Sequence, residues 1–294
     1  MNSIVKKLNA IRSFWTVVLA VVVFLGSARV EAQDFEQLED EIAMQAMIVQ
    51  KGRTDSVRLA AHERLIVLFD SALSQPGSFK YPFSKLTTIS FLKPEDKTFR
   101  IVTWTVPLLD RSYRFGGIIQ RPTDSIPETT VLSVPDAPID FITERELNAD
   151  NWYGCLYYEI KTFKHRKNKV YALAGWDGND ASSNKKYLDV LRYDEKKGWI
   201  FGEKIFETQK KKQTRFILEY KEDAGVTLSY NKSEKMFVFD HLIPIDGAPV
   251  GMYQFYVPDF SYDGYRFKRG KFILVENIQV NNDERFDLQG GEEP

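Results

Sequence analysis

Three short segments of this chain set carboxylates beside aromatic rings, a combination suited to holding a cation, titrating a substrate or stacking on a sugar. The first is Trp176-Asp177-Gly178-Asn179-Asp180. Calcium prefers oxygen ligands, and Asp177, Asn179 and Asp180 could offer three. The loop lacks the sixth-position glycine and closing glutamate of an EF-type site. Asp-Gly suits positive backbone angles and Asx side chains cap their own turns, so the segment reads as a turn and no metal site is specified.

The second segment is Asp240-His241, at the end of the apolar run Met236–Phe239. Histidine is the natural general base near neutral pH, and an acid can orient it. Neighbours on a strand point to opposite faces, so Asp240 is not expected to orient His241. A triad would need a further acid and a nucleophile. Ser261 is available, but no nucleophile-elbow pattern surrounds it. The third segment, Pro258–Gly264, carries Asp259, Tyr262 and Asp263. If the protein has a site, the expectation is that the Gly175–Asp180 and Pro258–Gly264 loops meet near Asp240-His241. The competing account is three unrelated Asp-containing turns distributed around a sheet. Trp152, Trp176, Trp199, Tyr256 and Tyr262 could stack on a glycan, although aromatics in a β protein mostly form core.

Whatever chemistry exists must be carried by a globular β-rich chain. The 294 residues hold 40 Lys+Arg against 41 Asp+Glu, which gives no global electrostatic case for nucleic-acid binding. The lone Cys155 excludes an intrachain disulfide framework, and its apolar setting reads as buried. Aromatics are abundant, with 21 Phe, 14 Tyr and 5 Trp, a bias that favours strands. The run from Lys204 to Arg215 is basic and reads as a solvated hairpin.

Residues 1–32 read as a signal peptide: Lys6, Lys7 and Arg12 precede the apolar Phe14–Leu25, and Val30-x-Ala32 offers a cleavage site. The apolar stretch is short for a membrane span, so no integral membrane segment is expected after cleavage. Residues 33–84 read as a helical hairpin docked on the main domain. Phe35, Leu38, Ile42, Ala46 and Val49 repeat at helical spacing, and Thr54 or Asp55 can cap a second helix. Residues 85–280 read as an antiparallel β domain, in which closely spaced aromatic strands leave no room for crossover helices. Its turns include Asp194–Gly198, Asn231–Lys235 and Lys268–Lys271, and Thr123–Asn151 is its longest expected loop. The architecture is therefore mainly β, an antiparallel meander that could be propeller-like, a sandwich or an irregular barrel. Residues 281–294 form a polar tail.

Asn151-Trp152-Tyr153-Gly154, Gly175–Asp180, Val238–Leu242, Tyr253-Gln254-Phe255-Tyr256 and Pro258–Gly264 occur in that order, preceded by Asp96–Ile101. The set resembles a family of uncharacterised exported proteins from Gram-negative bacteria, over roughly Lys85 to Glu276. The resemblance implies export and a β-rich domain, with no assigned activity. The sequence thus points to a periplasmic or extracellular binding or assembly protein of unspecified ligand and cofactor, with a glycan or envelope component as the candidate partner. The alternative is a hydrolase acting on glycan or cell-envelope material. A pocket containing facing carboxylates, or a histidine with a partner acid, would favour the hydrolase.

Overall fold

A computed structural model describes residues 35–166, 168–208 and 211–279. Residues 1–32, read as a signal peptide, and residues 281–294, read as a polar tail, lie outside these residues. Helix α1 spans 35–51 and ends where the Gly52 N–H reaches the Ile48 carbonyl. Helix α2 (Asp55–Leu73) starts at Thr54, whose hydroxyl accepts from the Val57 N–H. Asp55 instead receives the Leu109 N–H.

The strands follow in chain order. β1 (Ser90–Leu92), β2 (Arg100–Pro107), β3 (Tyr113–Arg121) and β4 (Glu128–Leu132) form the first sheet in that spatial order. Next come β5 (Leu147–Asn148), β6 (Leu156–His165), β7 (Asn168–Asp177), β8 (Ser183–Asp194) and β9 (Gly198–Phe201). The second sheet runs β5-β9-β8-β7-β6. β10 (Phe206–Glu207) and β11 (Lys212–Gln213) leave for the third sheet. β12 (Phe216–Lys221) returns to pair with β8. The chain finishes with β13 (Leu228–Asn231), β14 (Met236–Pro244), β15 (Tyr256–Lys268) and β16 (Lys271–Val275). The third sheet has the order β11-β10-β16-β15-β14-β13.

Alternation along the strands builds three cores in series. Val102, Trp104, Val106 and Ile118 face the helices, packing on Leu65, Phe69 and Ile42. The opposite face of the same strands, with Phe99, Ile101 and Ile119, packs on Tyr171, Leu173 and Leu191 of the second sheet. The other face of that second sheet, with Ala172, Leu188 and Val190, packs on Phe237, Phe239 and Phe272 of the third. The order of layers is helices, first sheet, second sheet, third sheet. β7 is therefore buried continuously from Val170 to Gly175, as expected for a strand covered on both sides.

Polar anchors tie the layers together. Trp104 donates its indole N–H to His62 Nδ1 at 3.1 Å, and burial lowers the His62 pKa. The indole lies flat on β3 because residue 116 is glycine. A Cβ there would stand 2.1 Å from the Trp104 ring. Arg100, 1% exposed, donates to Gln120 Oε1 and to the Ser78 and Tyr81 carbonyls, while Gln120 donates to the Leu73 carbonyl. This network fixes the end of α2 against the first sheet.

The structure corrects four readings. β10 and β16 pair in parallel, Phe206 opposite Phe272, in sheets otherwise antiparallel; about 60 residues of intervening strands make this geometry accessible. Thr123–Asn151 contains β4, β5 and a 3-10 turn at Ala149–Asn151. Pro258–Gly264 is no loop but part of β15, because the β14–β15 pairing continues through Leu242↔Pro258 and Asp240↔Tyr262. Gly251–Val257, an aromatic segment whose sequence reads as a further strand, opens instead with a turn at Gly251 and the 3-10 turn Tyr253–Phe255, and only Tyr256 and Val257 enter β15.

Candidate functional site

Asp177, Asn179 and Asp180 do come together, as a turn. Asp177 Oδ1 accepts the Asn179 N–H at 2.7 Å, and Asn179 sits at a φ of 45°. Asp180 Oδ1 accepts the Ser182 N–H, the Ser182 hydroxyl and the Ser183 N–H at 2.7, 2.6 and 3.0 Å. Lys185 donates to Asn179 Oδ1 at 2.7 Å. These oxygens already serve the β7–β8 connection. Among the described residues, no group of three or more His, Cys, Asp and Glu side chains is arranged to hold a metal ion. Burial raises the Asp177 pKa, whereas the Ser182 hydroxyl lowers that of Asp180. Trp176 packs edge-on against Tyr113 at 5.2 Å.

Asp240 and His241 part company, as alternation along a strand requires. Asp240 Oδ2 accepts the N–H and hydroxyl of Thr227 at 2.6 and 2.7 Å, holding the entry to β13. His241 lies at a register shift between Asp240 and Leu242, and its Nδ1 meets Asp263 Oδ2 at 2.7 Å. The other Asp263 oxygen accepts the Asn277 N–H at 3.0 Å. Asp259 accepts both the N–H and hydroxyl of Ser261. The Ser261 hydroxyl is thus donated to Asp259, and no serine–histidine relay forms between Ser261 and His241. Tyr262 lies opposite Asp240 in the β14–β15 ladder.

The sequence candidates therefore form two separate clusters of contacts, one around Asp177–Ser183 and one around His241–Asp263. They are linked by the segment from Glu222, which donates its N–H to the Ser182 carbonyl, to Thr227. At most roughly 18 Å of extended chain separates those two anchor points.

The Asp263 hydrogen bond raises the His241 pKa above its ordinary value of 6.5, reinforced by Asp259 and Glu276. The folded protein thus binds the His241 proton more tightly than the unfolded chain. Its contribution to stability is fully present below about pH 6.5 and is lost as pH rises through the folded value. We expect the His241 ring resonances to titrate above pH 6.5 in the native protein and to move toward 6.5 in Asp263→Asn. An unchanged midpoint in that variant would dismiss the pair as the cause.

A sizeable cavity lies elsewhere, under the connection between β4 and β5. It has a volume of about 690 Å³, walled by Pro135, Pro138 and Asp140 on one side and Asn148, Lys197 and Ile200 on the other. Arg145 and Glu146 also line it. A second hollow of about 240 Å³ adjoins it, sharing Asn148 and Lys197 and reaching Trp199 and Tyr193. The first volume lies in the usual range for small-molecule sites.

The cavity wall is anchored by Arg215. This side chain and Asp189 are both fully buried, paired at 2.9 Å. Arg215 also donates to the Ile142, Arg145 and Phe201 carbonyls and lies over the Tyr153 ring. Thr214 adds bonds to the Thr143 and Arg145 carbonyls. Arg215 was read as part of a solvated basic hairpin. It is instead the buried bolt between β12 and the cavity loop. Arg192 holds the Glu146 carboxylate at 2.9 Å, while Arg145, Lys197 and Asp140 direct no side-chain bond or ion pair to another described residue.

None of the nine sequence candidates lines this cavity. The proline-rich length of Thr123–Asn151 was its only visible sign, since loops on a rigid scaffold commonly carry binding. Of the aromatics suggested for stacking, Trp152 and Trp199 are buried, 0% and 5% exposed, and serve the core between the first two sheets. Cys155 is buried there as well, with its thiol pKa pushed up by burial. No helix among the described residues is long and apolar enough to cross a membrane. Comparison with protein-family models, curated proteins and solved structures finds no match to this chain.

Proposed function

We propose that this is an exported, non-catalytic binding protein whose ligand occupies the cavity between the 135–148 loop and the β8–β9 hairpin. The observation that carries the reading is the pinned wall: a buried Arg215–Asp189 pair fixes the loop backbone, leaving Arg145 and Asp140 at the cavity without a side-chain hydrogen bond or ion pair, with Lys197 beside Asp194. A pinned loop backbone beside apolar Pro135, Pro138 and Ile200 suits selective binding, because the loop itself need not be ordered on association. Export rests on the sequence of residues 1–32 and on the family resemblance.

A second reading, hydrolysis, is favoured by the His241–Asp263 pair alone. One comparison separates the two. Thermal unfolding and turnover of neutral oligosaccharides, acidic oligosaccharides and short peptides should be measured with the native protein, Ala137→Trp, which fills the cavity, and His241→Ala. We expect one ligand class to raise the melting temperature of the native protein and of His241→Ala but not of Ala137→Trp. No ligand class distinguishing native protein from Ala137→Trp would sink the cavity reading. Turnover lost only in His241→Ala would establish hydrolysis in its place.

A further inference from the structure

Resting on the cavity reading, we infer that the ligand is a short peptide with free termini, bound in extended form along β5. Three observations converge. First, β5 is the end strand of the second sheet, paired on one side with β9 through Leu147↔Phe201 and Asn148↔Ile200, and both its residues line the cavity. An end strand offers backbone N–H and C=O groups to an added strand, a recurring way in which a sheet binds an extended peptide.

Second, the neighbouring segment starts to fill that place and then stops. Ser133 donates to the Ala149 carbonyl and accepts from the Trp152 N–H. Pro135 and Pro138, which follow and line the cavity, have no N–H with which to continue a ladder. The protein's own chain therefore leaves this stretch of edge for a guest.

Third, the charges are of both signs. Glu146 is engaged by Arg192. Arg145 then remains for a carboxylate, with Lys197 shared between it and Asp194, and Asp140 remains for an ammonium group. A purely anionic ligand would leave Asp140 opposing it, and a neutral glycan would meet the three groups through hydroxyl hydrogen bonds alone, with no opposite charge for any of them. A zwitterionic peptide can use them all, with the Asn148 amide N–H and the Asn151 amide oxygen, left over from the bond that Asn151 donates to Asn148, facing its backbone and Ile139 and Ile200 an apolar surface to its side chain.

The test is calorimetric titration of Ala-Leu-Ala with free termini, its N-acetylated form, its C-amidated form and its form N-methylated at leucine. The free peptide should bind the native protein. Amidation and acetylation should each weaken binding on the order of tenfold, as charge-assisted bonds are lost. N-methylation should weaken it through the lost ladder bond. In the double variant Arg145→Ala/Lys197→Ala amidation should no longer matter, and in Asp140→Asn acetylation should no longer matter. Equal binding of free and blocked peptides, or no peptide binding to the native protein, overturns the inference. Ala137→Trp tells which level failed. A neutral oligosaccharide that binds the native protein but not this variant would leave the cavity reading standing and remove the peptide. Peptide binding that survives in the variant would remove both.

Discussion

Asp189→Ala should destabilise the protein by about 3–5 kcal/mol, because it leaves the Arg215 guanidinium buried without its counter-charge. Both side chains are 0% exposed, so water cannot replace the lost carboxylate without opening the structure. The same change should loosen the 142–145 backbone, since Arg215 would no longer be held where it reaches the Ile142 and Arg145 carbonyls. Urea unfolding measures the first effect, and hydrogen exchange at residues 142–147 the second. A control separates the charge from the anchor: Asp189→Leu with Arg215→Met should recover much of the stability, as buried pairs replaced by apolar groups often do. It should not restore exchange protection of the loop, whose carbonyls would still lack their donors. A loss below about 1 kcal/mol in Asp189→Ala would mean that the pair is hydrated in solution.

Phe239→Ala should cost a similar amount, about 3–5 kcal/mol. Phe239 is 3% exposed in the core between the second and third sheets, 4.6 Å from the Phe216 ring and 5.9 Å from Tyr265. Those neighbours sit on β12 and β15, in two different sheets, and cannot both collapse into the space left behind. Equilibrium unfolding monitored by aromatic circular dichroism would report the loss. A change under about 1 kcal/mol would show that the sheets move together to close the gap.

The strands were legible where side chains alternate or where turn chemistry is explicit. Hairpins form at Asp194–Gly198, Asn231–Lys235 and Lys268–Lys271, with closing pairs Asp194↔Gly198, Asn231↔Met236 and Lys268↔Lys271. The switch from helical spacing near Phe35–Val49 to aromatic strands was equally clear. Long-range pairing was not legible. Nothing local marks Phe206 as the parallel partner of Phe272, and two-residue strands such as β5 carry no periodicity. The site suffered from the same limit. His241 could be read as a candidate base, but its acid, Asp263, is chosen by the β14–β15 register and lies 22 positions away. Arg215 misled because a basic run looks solvated until the fold supplies a buried carboxylate from another strand. The cavity was hardest of all, because it is made by backbone shape around prolines rather than by a motif.

The excursion of the chain between its second and third sheets constrains the order in which it can fold. β10 leaves the second sheet's neighbourhood after β9, β12 comes back to β8, and β10 finds its parallel partner only in β16, the last strand of the described chain. A chain emerging from the ribosome must therefore carry Phe206 with only Gln213 of β11 beside it until Phe272 has been made. Helices and first sheet can assemble from local contacts early, and β13, β14 and β15 can pair in turn, whereas the third sheet cannot close onto β10 until β16 has been made. Such late, distant pairing makes for slow closure and a long-lived open edge, so a holding chaperone would find its work at the C-terminal half of this protein.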